Sequence, residues 1–429
     1  MRRRALNILR AVDAGRGFAD QHLTSDDPPF VRELVLGVLR RRLTLDSVLA
    51  AYSKRALDTL DDDVLGALRL GLYQILFLDG VPPHAAVSET VSSIGRASAK
   101  SFVNGLLRTV LRECNKVTPD KDRGGASPRK RLEREGRNVT FFTRRVFPDP
   151  EQDRMGWLAA VHSHPVELVT RWVEQLGEEK SVERMVAGNR VPLLTLRPRA
   201  GRADADAVVA ALAKQGVQSQ VIAREQGPDA VAVVPGSKKV LSGKAFRSGM
   251  FAVQDVAQFD AAEQLAPRAG ETIWDACAAP GGKTCHLAEL ADGEAHIVAT
   301  DRNASRLKNL GPQLERLGLE GVTIGEHDAL SDEPPTGMPD QGFDAILLDA
   351  PCTNTAVLDR RPEARWRFDG ESLSELVALQ ERMLTSVRRH LRPGGRLVYS
   401  VCSHEPEEQS HAGLARSLSP FVSLSTAAE

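Results

Sequence analysis

The sequence contains no apolar run that approaches the roughly 20 residues needed to span a bilayer. Its first residues, Met1–Arg4, are basic, but charged residues interrupt the following segment before the apolar core of a signal peptide can form. These absences argue against both a membrane protein and a secreted one. We therefore expect a cytoplasmic protein with no membrane partner.

Cysteine is also scarce, with five in 429 residues and no two spaced as a CxxC pair. Because disulfide frameworks and structural zinc sites depend on paired cysteines, neither is predicted, and no metal is expected. Each cysteine therefore either packs in a core as a small hydrophobic side chain or has a chemical role. The positions are Cys114, Cys277, Cys285, Cys352 and Cys402.

Net charge is nearly absent, at a formal −1, so the chain as a whole exerts no electrostatic attraction on nucleic acid. The charge is unevenly distributed, however. The segment from Lys121 to Arg145 contains nine Lys or Arg residues and only three Asp or Glu, together with Phe141 and Phe142. Such a patch could bind phosphates and stack a base. The alternative is a solvated linker without a ligand, and the sequence leaves both open.

The length exceeds the size at which one hydrophobic core is efficient, so several domains are expected. A content of 42% hydrophobic and 26% charged residues is that of an ordinary globular protein. Apolar residues recur at helical spacing up to about Cys114, and short β-like runs later flank an Ala-rich helix. We predict an all-α domain over 1–115, a basic linker over 116–155 and a small α/β RNA-binding module over 156–250.

From about Ala252 onward the pattern becomes strand, glycine loop and helix in repeated succession. The clearest predicted strands cover residues 272–276, 297–300, 345–348 and 396–399. This alternation favours a doubly wound parallel sheet of Rossmann type over 251–429. The fold prediction is therefore multidomain, with a C-terminal doubly wound α/β domain.

A cofactor site is predicted where the segment 271–288 runs from an apolar strand through a glycine turn into a helix. Gly281 and Gly282 permit close approach of the backbone, and the following helix N-terminus presents N–H groups. The turn is neither Gly-x-Gly-x-x-Gly nor a phosphate-wrapping P-loop, because Gly281-Gly282-Lys283-Thr284 lacks the upstream glycine. Dinucleotide and nucleoside triphosphate ligands are therefore disfavoured.

Two further carboxylates follow predicted strands. Asp301 comes after strand 295–300, where it could accept hydrogen bonds from ribose hydroxyls, and Asp328 follows strand 322–327, where it could contact an adenine amino group. A single Asp after a strand is more often a helix cap or turn former. Repetition at successive strand ends favours a ligand site.

Cys352 and Cys402 also lie just beyond predicted strands, beside the cofactor loop. Two cysteines at equivalent strand ends favour catalysis over core packing. Because C5 of cytosine is a poor nucleophile, thiolate addition at C6 would convert it into an enamine that can attack a sulfonium methyl group. A second group must then assist release, and Asp349 could hydrogen-bond the ring edge where charge accumulates.

These motifs resemble those of the Nol1/Nop2/Sun family of RNA cytosine-C5 methyltransferases, and over the full length its bacterial 16S rRNA methyltransferase B type. The matching segments are 275–284, Asp349–Cys352 and Tyr399–Ser403 with Pro406–Glu408. The resemblance implies S-adenosyl-L-methionine as cofactor, Cys402 as the nucleophile that adds to C6, and Cys352 as the group that assists release. The implied cofactor-binding residues are Cys277, Ala278, Ala279, Pro280, Gly281, Gly282, Lys283, Asp301, Asp328 and Asp349.

The N-terminal segments Leu70–Gln74, Val81–Val87 and Lys100–Asn104 resemble the NusB-like RNA-binding domain of that subgroup. This resemblance implies small-subunit ribosomal RNA as the substrate, and we expect a monomer. A transfer RNA cytosine-C5 methyltransferase is an alternative with the same chemistry. An alternative of a different class is an RNA-binding ribosome assembly factor whose methyltransferase domain is inert.

The sequence departs from the family pattern after Cys352. Thr353-Asn354-Thr355-Ala356 replaces the usual Ser-Gly/Ala-Thr-Gly, and Val401 stands where Thr is common. Since Ala356 adopts positive φ less easily than glycine, we expect the geometry of this loop to differ from that of the family.

Overall fold

The computed structural model describes residues 1–24, 26–118, 127–134, 139–234, 240–410 and 424–426. The chain divides into two compact units, the first formed by residues 1–191 with 357–369 and the second by residues 192–356 with 370–429. Within the described ranges, no helix combines the length and the apolarity that crossing a membrane requires.

The first unit is mainly helical, because apolar residues repeat on one face of each helix. In α3, for example, Val31, Leu34, Val35 and Val38 are all buried. Its helices are α1 Arg2–Asp13, α2 Ala19–His22, α3 Pro29–Arg40, α4 Arg42–Tyr52, α5 Asp62–Phe77, α6 Pro83–Ser92, α7 Ala97–Glu113, α8 Arg154–His162, α9 Val166–Leu176 and α10 Glu178–Ala187.

A small antiparallel sheet follows α7, with β1 Cys114–Val117, β2 Arg131–Leu132 and β3 Val139–Phe142 in the order β1-β3-β2. The structure thus differs from the linker predicted over 116–155, of which residues 119–126 and 135–138 lie outside the described residues. The physical reason is burial: Leu132, Phe142 and Phe147 join the core of the helical unit. Burying these side chains outweighs the solvation of their charged neighbours.

Residues 357–369 belong to the first unit although they lie between two elements of the second. Arg365 anchors them. Its buried guanidinium donates to the carbonyl oxygens of Ser163 (2.9 Å) and Gly188 (2.8 Å) and to Asn189 Oδ1 (2.9 Å). Helices α8–α10 and this segment therefore pack with the first unit, rather than with the α/β module predicted over 156–250.

The second unit begins with an antiparallel sheet in the order β5-β6-β4-β7. The module predicted to end at 250 extends further, because β7 pairs with β4 through residues 251–253. The elements are β4 Leu194–Pro198, α11 Ala205–Ala213, β5 Ser219–Ile222, β6 Ala230–Val233, α12 Lys244–Arg247 and β7 Phe251–Val253.

A larger parallel sheet follows, in the order β10-β9-β8-β11-β12-β13. Its strands read as near-continuous apolar runs, which is typical of a sheet covered on both faces. The predicted doubly wound C-terminal domain is confirmed. The elements are α13 Phe259–Leu265, β8 Thr272–Asp275, α14 Gly282–Ala291, β9 His296–Asp301, α15 Ala304–Leu307, α16 Leu310–Leu317, β10 Val322–Glu326, β11 Phe343–Asp349, α17 Gly370–Arg388, β12 Leu391–Val401 and β13 Leu424–Thr426.

Candidate active site

The predicted site residues gather at one edge of the parallel sheet. Since the strands run in one direction, their carboxyl ends meet there, and the order of strands reverses between β8 and β11. Asp275, Asp301 and Asp349 are the last residues of β8, β9 and β11. Cys402 directly follows β12. All these residues lie within the second unit.

The glycine turn connects β8 to α14 and carries Cys277, Ala278, Ala279 and Pro280. The amide of Ala278 donates to the carbonyl of Thr300 (2.8 Å), which holds the turn beside the end of β9. Gly281 has φ of +108°, and a Cβ there would lie 2.6 Å from Leu310 Cδ1. At Gly282, where α14 begins, a Cβ would meet nothing within 4 Å. The turn therefore leaves open space beside the helix N-terminus.

Asp275 lies beneath this turn and was not predicted as a site residue. Thr284 donates to its Oδ2 (2.7 Å), while the buried Oδ1 has no hydrogen-bond partner in the part of the chain that the structure describes. Burial raises the pKa of Asp275 to about 7. The available signal was its position at a strand end, immediately before the Ala-Cys-Ala-Ala-Pro sequence.

Asp301 lies next to the turn. Its Oδ1 accepts from the amide of Asn303 (3.0 Å), and its Oδ2 lies 3.3 Å from Arg306 Nη1. Arg306 also donates to the carbonyl of Ala279 (3.3 Å), so it links the two parts of the site. Asp328, beyond the adjacent β10, is exposed and accepts from the amide of Leu330 (2.9 Å), as the turn-forming alternative also predicts.

An ion pair joins the buried Lys283 of α14 to the half-buried Asp349 of β11, with 2.6 Å between Nζ and Oδ1. Burial opposes the charge on Lys283, but Asp349 and the nearby Cys402 outweigh it, so the pKa of Lys283 is raised. Lys283 therefore stays protonated between a carboxylate and a cysteine.

The two loops that carry the cysteines leave the sheet side by side. Asp349 of β11 pairs in register with Ser400 of β12, and beyond the strands the amide of Ala356 donates to the carbonyl of Cys402 (3.2 Å). Both cysteines are half-buried. Burial, followed by the negative charges of Cys402 and Glu408, raises the pKa of Cys352 well above its usual value. Cys352 is therefore a protonated thiol at neutral pH.

The departure from the family pattern changes this loop less than expected. The residue with positive φ is Asn354, at +60°, and its Nδ2 donates to the carbonyl of Cys352 (2.7 Å). Ala356 instead lies in a 3₁₀ turn, Thr355–Val357. Because Asn tolerates the left-handed region better than most residues, the loop needs no glycine at position 356.

The chemistry of the edge restricts its ligand. It carries the carboxylates Asp301, Asp328 and Asp349, while Lys283 is already paired with one of them. Such a surface suits a ligand with hydroxyl groups and positive charge, and it is unsuited to a polyphosphate.

The chain is similar to known proteins in both units. A family model described as 16S rRNA methyltransferase RsmB/F matches residues 262–419, and one described as NusB family matches residues 1–112. The ribosomal RNA small subunit methyltransferase B of Cronobacter sakazakii is 32% identical over 415 residues, which cover 94% of this chain and 86% of the relative. The chain belongs to this methyltransferase family. The predicted NusB-like N-terminal domain and the predicted family resemblance are thereby confirmed.

A second relative and two solved structures are also similar to this chain. A probable ribosomal RNA small subunit methyltransferase B of Synechocystis is 30% identical over 95% of this chain and 86% of its own length. Among solved structures, PH0851 has a TM-score of 0.74, with 24% identity, covering 98% of this chain and 90% of the other. A methyltransferase homologue from Pyrococcus horikoshii has a TM-score of 0.50 and 29% identity, covering 59% of this chain and 79% of the other.

Proposed function

We propose that this methyltransferase transfers the methyl group of S-adenosyl-L-methionine to C5 of a cytosine in 16S ribosomal RNA, with Cys402 as covalent nucleophile and Cys352 as the group that assists release. The observation that carries the proposal is the pairing of two cysteine loops beside Lys283 and Asp349 at the carboxyl edge of the sheet. Relatives whose names specify small-subunit ribosomal RNA support the substrate.

The residues at the edge fit this cofactor. The open space at Gly282 and the helix N-terminus would receive its carboxylate. Asp301 would accept hydrogen bonds from the ribose, and Asp328 would contact the adenine amino group. The bound cofactor supplies an electrophilic methyl group on a positively charged sulfur, which the carboxylates of the edge stabilise.

The electrostatic environment supports different roles for the two cysteines. The Lys283 ammonium lies close enough to Cys402 for their charges to interact, so it favours the Cys402 thiolate. Cys352, by contrast, is held as a thiol by burial and by that same negative charge. Because the thiolate is the reactive form, Cys402 attacks first.

In the proposed cycle the Cys402 sulfur forms a bond to C6, and the electron pair of the C5–C6 double bond moves to C5. Asp349 accepts a hydrogen bond from the cytosine amino group during this step. C5 would then take the methyl group that bound S-adenosyl-L-methionine supplies, and S-adenosyl-L-homocysteine would be the leaving group. The adduct no longer carries the Cys402 charge, so one cause of the high Cys352 pKa is gone. Cys352, after losing its proton to solvent, removes the C5 proton, the double bond re-forms and the Cys402 thiolate leaves.

The test compares two substitutions with labelled cofactor and unmodified small-subunit ribosomal RNA. Cys402→Ala should abolish methyl transfer and leave no covalent complex, because no group remains to add to C6. Cys352→Ala should allow addition and methyl transfer but slow elimination, so a protein–RNA conjugate should survive denaturing electrophoresis. The double substitution should trap nothing.

Four other outcomes would contradict the proposal. A conjugate with Cys402→Ala but not with Cys352→Ala would reverse the two assignments. No conjugate and unchanged activity in both variants would indicate packed core cysteines. A parent protein that binds ribosomal RNA without methylating it would support the inert assembly factor, and methylation of transfer RNA in its place would support the alternative substrate.

A further inference from the structure

A fully buried carboxylate, Glu408, lies behind the loop that carries Cys352. Its Oε1 accepts from the backbone amide of Thr353 (3.0 Å), and its Oε2 accepts from the Thr353 hydroxyl (2.5 Å). Thr353 is the residue next to Cys352. The Glu408 backbone is itself held, because the Tyr399 hydroxyl donates to its carbonyl (3.1 Å).

Two more side chains extend these contacts to both cysteine loops. Gln380 Nε2 of α17 donates to Glu408 Oε1 (2.9 Å) and to the carbonyl of Pro351 (2.9 Å), on the other side of Cys352. The Ser403 hydroxyl lies 2.9 Å from that of Thr353 and accepts from the amide of Glu405 (3.0 Å). We call Thr353, Gln380, Ser403 and Glu408 the Glu408 cluster; it joins the residues on both sides of Cys352 to the residue after Cys402.

We propose that Glu408 is a positioning residue that holds Cys352 at the distance from Cys402 that release of the methylated base requires. The inference rests on the proposed function. Glu408 acts through the Thr353 amide rather than on the reacting atoms. Every member of the cluster is buried, so few alternative water contacts are available to replace a missing partner.

Positioning can be separated from charge. In Glu408→Gln the amide oxygen can still accept from the Thr353 amide and from Gln380, and the new NH₂ group can donate to the Thr353 hydroxyl, which then donates to Ser403. The contacts survive while the charge is lost. In Glu408→Ala the contacts and the charge are both lost.

The experiment measures the fraction of protein linked to RNA on denaturing gels, together with the melting temperature of the full chain. Glu408→Ala should raise the linked fraction about tenfold over the parent, because a buried charge-assisted hydrogen bond to the loop is removed. Glu408→Gln should remain close to the parent. Glu271→Ala is the matched control. Glu271 is a buried carboxylate of the same unit that forms an ion pair with Arg396 (2.6 Å). It directly precedes β8 and therefore lies at the opposite edge of the sheet from the cysteines.

The control should lower the melting temperature without raising the linked fraction. If Glu408→Ala behaves in the same way, its role is only structural and the inference fails. If Glu408→Gln traps RNA as strongly as Glu408→Ala, charge rather than position is responsible, and the inference also fails. Should Glu408→Ala not fold, Thr353→Val removes only the hydroxyl contacts and should trap RNA to a smaller extent; no increase overturns the inference.

The same variants distinguish a failure of the proposed function from a failure of the inference about Glu408. If Cys352→Ala traps RNA and Glu408→Ala and Thr353→Val do not, only the role of Glu408 is wrong. If Cys352→Ala itself traps nothing, the covalent cycle is wrong before any question about Glu408 arises.

Discussion

The aspartate side chains at the carboxyl edge of the sheet lie in different electrostatic environments. Asp349 is paired with the Lys283 ammonium, whereas Asp275 receives a neutral hydroxyl from Thr284 and is fully buried. Burial without a cation close enough to form an ion pair favours the protonated form of a carboxyl. The environment, rather than the residue type, therefore decides which carboxylates present charge to a ligand.

A prediction for Asp275 follows from its pKa, which burial raises from 3.8 to about 7. Between these values the folded protein keeps a proton that the unfolded chain has lost, so stability falls as the pH rises from about 4 to about 7. We expect Asp275→Asn to retain the contact with Thr284 and to reduce this fall. Melting temperatures of parent and variant without cofactor, at pH 5 and pH 8, measure the difference. An equal drop in both proteins would contradict the raised pKa.

At this scale the strand-end residues were predictable, because parallel strands bring their carboxyl ends together whatever the loop lengths. Asp301, Asp349, Cys352 and Cys402 could be proposed for that reason. Glu408 could not be assigned a contact from the sequence, because its partners Thr353 and Gln380 are 55 and 28 residues away and meet it only in the folded core.

Among the structural elements, the turn between β8 and α14 positions the proposed cofactor site. Gly281 and Gly282 are adjacent in sequence but serve different purposes. At Gly281 the positive φ and the closeness of Leu310 both require glycine, so its role is in the fold. At Gly282 a side chain would meet no protein atom within 4 Å, so the space is open to the proposed cofactor.

Alanine at each position should separate these roles. Gly281→Ala should lower the melting temperature, because a left-handed residue gains a Cβ that contacts Leu310, with a cost of about 1 kcal/mol or more. Gly282→Ala should keep the melting temperature and weaken binding of S-adenosyl-L-methionine, measured by calorimetry. Normal cofactor affinity in Gly282→Ala would place the cofactor away from this helix N-terminus.

Whole elements were predictable where the apolar pattern is long. The helical spacing up to about Cys114 predicted the N-terminal helices, of which α7 ends at Glu113. The strands β2 and β3 were missed, because they are two and four residues long in a charged segment and gain their stability from the helical core. Phe142 is buried in that core, so only Phe141 of the two aromatic rings suggested for base stacking is left for that role.

At the scale of the whole molecule, chain order and packing do not coincide. Residues 357–369 follow the Cys352 loop in sequence but are packed in the first unit, where Trp366 Nε1 donates to the carbonyl of Leu39 (2.7 Å). Pattern reasoning assigns consecutive residues to one domain, so it had no means of predicting an insertion whose anchor, Arg365, is a charged residue among backbone carbonyls.

The basic segment of the first unit allows a final prediction about RNA binding. Arg129 is paired with Asp149 (3.1 Å) and Arg131 with Glu133 (2.9 Å), whereas Lys130 has no ion-pair partner among the described residues. Since a compensated charge releases fewer counterions, we expect Lys130→Glu to reduce the log–log salt slope of RNA binding by about 0.7, the contribution of one phosphate contact on a single strand. Arg129→Glu and Arg131→Glu should change it less.

Lys180→Glu, the same charge change on the exposed face of α10, is the control. Equal slopes in all four variants and the parent would show that RNA does not contact this segment, and equal reductions at all three basic positions would show that the ion pairs open to receive phosphates.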